Sequence, residues 1–94
     1  MNTDHVATLT NDLAAMRRAY EDNRDRMPYF VISRDQERGF VARLHVMRPA
    51  LQALNFTDSH ADIEILRRRL PDGLFRPRRE DLPTGAEEVE EVWM

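Results

Sequence analysis

The sequence predicts an all-α fold, a small helical domain built on a helical hairpin. Three observations lead there: two stretches of apolar residues at helical spacing, three capping-box patterns, and prolines or glycines where helices should stop. The helices are expected over about 4–26, about 34–55 with a kink at Pro49, about 60–70, and about 85–93. The alternative is an α+β fold with a β-hairpin over 29–47.

In the first stretch Val6, Leu9, Leu13, Met16 and Tyr20 step by three, four, three and four residues, which lines them along one helix face. Asn2 or Thr3 can cap its start, four alanines raise its propensity, and Met27 before Pro28 ends it because a residue preceding proline avoids the α region. In the second stretch Phe40, Leu44, Met47, Leu51 and Leu54 step by four, three, four and three. Ser33 with Gln36 supplies its capping box. Gly39 and Pro49 oppose it, since glycine costs about 1 kcal/mol and proline about 3 kcal/mol inside a helix; hence the expected kink.

The hairpin alternative rests on the β-prone run Tyr29–Ile32 and on the alternation of Phe40, Ala42, Leu44 and Val46 with Val41, Arg43, His45 and Met47. The connection between them lacks an Asn-Gly or Asp-Gly pair, which favours the helix. Further on, Ser59 with Asp62 opens a third helix carrying Ile63, Leu66 and Leu70, and Pro71-Asp72-Gly73 stops it. Leu74 and Phe75 are expected to anchor in the core. Thr84 with Glu87 opens a short acidic C-terminal helix with Val89, Val92 and Trp93 on one side.

Ninety-four residues with 41% hydrophobic content suit one domain, residues 1–94, with a charged C-terminal segment over 76–94. The absence of cysteine removes disulfides, thiolate ligands and thiol nucleophiles. No run approaches the ~20 apolar residues of a membrane span, and no signal peptide is legible, so a cytoplasmic protein without a membrane partner is expected.

The sharpest feature is a switch in charge. Residues 67–79 carry Arg67, Arg68, Arg69, Arg76, Arg78 and Arg79 against Asp72 alone, a net +5; residues 80–94 carry six acids and no base, a net −6. The arginines are candidates for contact with nucleic acid or an acidic partner through salt-dependent phosphate or carboxylate pairing. The acidic helix, through Glu87, Glu88, Glu90, Glu91 and Trp93, is a candidate partner-binding element, because tryptophan is over-represented at interface hot spots.

No histidine is placed against a nucleophile, and the alternation Asp58, His60, Asp62, Glu64 fits no zinc or calcium spacing. No catalytic residue, metal or cofactor is therefore expected. What remains is a non-enzymatic protein-binding module docking on another, larger protein. It would be an adaptor, an inhibitor or an immunity-type protein, including a phage-type inhibitor whose acidic tail mimics phosphates. Two alternatives stand beside it: nucleic-acid binding through the arginines of 67–79, and self-association into a homo-oligomer, such as a homodimer, through uncovered apolar stripe.

Overall fold

A computed structural model describes residues 10–77 and 89–94 of the chain. The elements are β1 (Thr10–Asn11), α1 (Leu13–Asp22), a 3-10 turn at Arg24–Arg26, β2 (Pro28–Asp35), β3 (Gly39–Val46), β4 (Gln52–His60), α2 (Ile63–Arg69) and β5 (Val89–Trp93). The strands form one five-stranded sheet in the order β1-β4-β3-β2-β5. β1 runs parallel to β4 and every other pairing is antiparallel. The all-α helical-hairpin expectation is thereby overturned; the chain is mostly strand, with two helices on one face of the sheet.

The correction is largest over residues 34–55, where the expected kinked helix is absent. Pro28–Asp35 and Gly39–Val46 form a hairpin in continuous register from Pro28 opposite Val46 to Asp35 opposite Gly39, and β4 adds to its far side. Ser33 is a strand residue opposite Val41 rather than a helix cap. The turn that the hairpin needs is built without an Asn-Gly pair: Asp35 Oδ1 accepts from the amides of Glu37 at 2.8 Å and Arg38 at 2.9 Å, an Asx-type turn. Gly39 then takes φ +89°, and a Cβ there would lie 2.6 Å from the Ala61 Cα, so both conformation and space demand glycine. Pro49 lies in the β3–β4 connection, not inside a helix.

The first helix is shorter than its apolar stripe. It starts at Leu13 because Asp12 is the cap, its Oδ1 accepting from Ala14 N at 2.9 Å and Ala15 N at 3.2 Å. Thr10 and Asn11, expected inside the helix, pair with Phe56 and Thr57 instead. It ends at Asp22, where the Asn23 side chain donates to the Ala19 carbonyl at 2.8 Å. α2 lies close to its expected place, but Asp62 caps it through the Glu64 amide, and Ser59 belongs to β4. Residues 89–93 of the expected C-terminal helix are the edge strand β5; its proposed start at Thr84 lies outside the described residues.

The core lies between the helices and the even-numbered face of the hairpin. Met16, Ala19 and Tyr20 of α1 and Leu66 and Leu70 around α2 close on Phe30, Ile32, Ala42 and Leu44. The Tyr20 and Phe30 rings stack with centroids 5.4 Å apart. Complete burial of a side chain such as Phe30 contributes about 1.5–3 kcal/mol, so this layer, rather than helix propensity, holds the sheet together. Leu51, expected on the core stripe, is 73% exposed. Among the described residues no helix is long and apolar enough to cross a membrane.

Candidate functional site: the cleft between helix α2 and strand β5

Arg67, Arg68 and Arg69 follow one another on α2, and successive helical residues point about 100° apart. Three adjacent arginines therefore cannot form one patch. Arg67 turns toward β5, where its Nε donates to Glu91 Oε1 at 3.0 Å while its terminal nitrogens pair with Glu91 and Glu64. Arg69 turns toward β4, where its Nη1 meets both Asp58 oxygens at 3.2 Å. The Arg69 carbonyl also accepts from Arg17 Nε at 2.9 Å, which ties α2 to α1. Arg68 alone of the three points to solvent.

Glu91 is the centre of this junction. Its side chain is 7% exposed, an expensive place for a carboxylate unless its oxygens are occupied. They are: Arg67 binds in fork geometry, Arg76 Nη1 donates to Oε2 at 2.8 Å, and Trp93 Nε1 donates to Oε1 at 2.8 Å. The Arg76 guanidinium also lies over the Trp93 ring, 5.6 Å from its centroid. Trp93 pairs with Phe30 across the strands and rests against the core cluster.

The two residue sets singled out in the sequence thus meet. Arg67 and Arg76 from the basic set hold Glu91 and Trp93 from the acidic one, and Arg69 is engaged with Asp58. Glu90 lies 3.5 Å from Arg34 Nε, across the neighbouring strand. Arg78, Arg79, Glu87 and Glu88 lie outside the described residues.

What faces outward differs from the sequence reading. Leu74 packs on the core as expected, but Phe75 is 65% exposed. The signal was available: residues adjacent in extended chain point to opposite sides, so Leu74 and Phe75 cannot both be buried in one core. Phe75 and the exposed Met94 exchange two backbone hydrogen bonds of 2.8 Å, which fixes the two side chains beside the end of β5. Next to them a cleft of about 370 Å³ opens between α2 and β5, its lining mixing Arg67, Arg68 and Asp72 with Leu70, Leu74 and Trp93.

The alternating acids and histidine serve structure. Asp58 binds Arg69, His60 Nδ1 accepts from the Asp62 amide at 2.9 Å, Asp62 caps α2, and Glu64 pairs with Arg67. Among the described residues no group of His, Asp and Glu is placed to hold a metal ion. His45 lies on the face of the hairpin away from the helices, its ring 5.1 Å from that of Tyr29. Burial, and secondarily the nearby Arg43 charge, push its pKa down, and burial pushes that of Tyr29 up, so both stay neutral near pH 7. His5 lies outside the described residues.

No family model matches this chain, and neither curated proteins nor solved structures offer a significant match.

Proposed function

We propose that the chain is a non-enzymatic protein-binding module of adaptor or inhibitor type, acting in the cytoplasm, and that it docks through the exposed apolar pair Phe75–Met94 and the adjoining cleft. The observation that carries this reading is the 65% exposure of Phe75 on backbone that is pinned at both its amide and its carbonyl. An aromatic side chain on fixed backbone has only two side-chain torsions to order on docking, which makes such residues good interface anchors.

Nucleic-acid binding through residues 67–79 finds less support, because Arg67, Arg69 and Arg76 already satisfy buried carboxylates. Glu91 likewise acts less as a phosphate mimic than as the partner of Arg67 and Arg76, since it is turned inward.

The test is affinity capture from the native host with the wild-type chain and with a Phe75→Ser/Met94→Ser variant that keeps the wild-type circular dichroism spectrum. A protein recovered by the wild type and lost with the variant supports the reading. Equal recovery by both, or recovery of nucleic acid in place of protein, refutes it.

A further inference from the structure

Around the α2–β5 cleft the described charges are Arg67, Arg68 and Arg76 against Glu64, Glu91 and Asp72. Among the described residues they balance in number. Their pairing is uneven, however. Arg67 and Arg76 are committed to Glu91 and Glu64, while Arg68 stands on the cleft wall with its guanidinium toward solvent. Leu74 and Trp93, both partly exposed, also line the cleft, and Phe75, the residue after Leu74, is exposed outside it. Among the described residues, a cation without a partner thus lies beside partly exposed Leu74 and Trp93 in a mixed polar and apolar cleft of about 370 Å³, in the range of a small ligand site.

We propose that this cleft binds a peptide segment in which a single carboxylate flanks one large apolar side chain. The apolar side chain lies against Leu74 and Trp93, and the carboxylate pairs with Arg68. A guanidinium suits a carboxylate because its planar fork can meet both oxygens. Asp72 also lines the cleft and disfavours anions there, a run of phosphates more than a single carboxylate. The inference rests on the protein-binding reading and adds the chemistry of the partner.

Trp93 is the chain's only tryptophan, so its fluorescence reports on the cleft directly. The probes are an acetylated, amidated hexapeptide with one Phe next to one Glu, the same peptide with Gln in place of Glu, and a ten-nucleotide oligo-dT. The Glu peptide should give a saturable change in Trp93 emission. Its affinity should fall about tenfold on exchange to Gln, and by a similar factor in Arg68→Gln, as expected for loss of one charge-assisted pair. Arg68 is exposed, so that variant should fold, which circular dichroism verifies.

No saturable response to the Glu peptide, equal binding of the Gln peptide, or tighter binding of oligo-dT would each overturn the proposal. If host-protein capture still depends on Phe75 while the hexapeptide fails to bind, the partner chemistry is wrong and the protein-binding reading survives. If capture is indifferent to Phe75 and Met94, that reading falls first.

Discussion

Glu91 shows how a single carboxylate decides where a chain end goes. With Arg67, Arg76 and the Trp93 indole all donating to it, its removal takes from the partly buried Arg67 its inward counter-charge and leaves it only the more exposed Glu64. Breaking a fully buried pair costs about 3–5 kcal/mol, and because Arg76 is half-exposed and Arg67 is partly hydrated we expect Glu91→Ala to cost about 2 kcal/mol. For a chain of this size that is a fall of roughly 10 °C in Tm, read by circular dichroism. His45 gives a pH dependence. Its folded pKa lies below its ordinary value of 6.5, so as pH falls through that value the unfolded chain takes up the proton and the folded one resists. This contribution is intact above about pH 6.5 and is lost as pH drops toward the folded pKa. Urea unfolding at pH 7.5 and pH 5.5 should therefore show a smaller loss of stability for His45→Gln than for the wild type.

The hairpin depends on Gly39 in two separate ways, through its left-handed backbone and through the nearby Ala61 backbone. Gly39→Ala should cost on the order of 2–3 kcal/mol, more than an ordinary strand glycine exchange, with the shift again read in urea. The same element explains why a helix is the natural reading of this stretch. Phe40, Leu44 and Leu54 satisfy a helical period, yet Phe40, Ala42, Leu44 and Val46 satisfy a strand period equally well, and over so few residues the two overlap. Turn chemistry separates them. Asp35 folding back on its own following amides, with Gly39 at positive φ, does the work usually done by Asn-Gly, and both residues are visible in the sequence. β5 was less legible, since a strand that turns Glu91 inward looks polar until Arg67 of α2, 24 residues earlier, is known to meet it. α2 itself was legible because Asp62, Leu66 and Leu70 form a local pattern that needs no distant partner.

At the scale of the whole molecule, the charged groups that stand out in the sequence and lie among the described residues are mostly engaged in ion pairs. Arg67, Arg69 and Arg76 connect α2 and the chain after it to β4 and β5, so the basic and acidic stretches join two sheet strands to one helix. Under the proposed protein-binding reading, docking falls to groups that find no such partner among the described residues, Arg68 and the Phe75–Met94 pair. Because Phe75 is 65% exposed, Phe75→Ser should change Tm by less than about 3 °C while abolishing partner capture, whereas Glu91→Ala should lower Tm first. The account stands on β5 being an integral strand rather than a free acidic tail. Amide hydrogen exchange on the intact chain measures this most directly: the β5 amides that bond to β2 should exchange as slowly as the β2–β3 hairpin amides. Exchange of residues 89–93 at the rate of unstructured peptide would contradict it, because Glu90, Glu91 and Trp93 would then be free to meet a partner themselves.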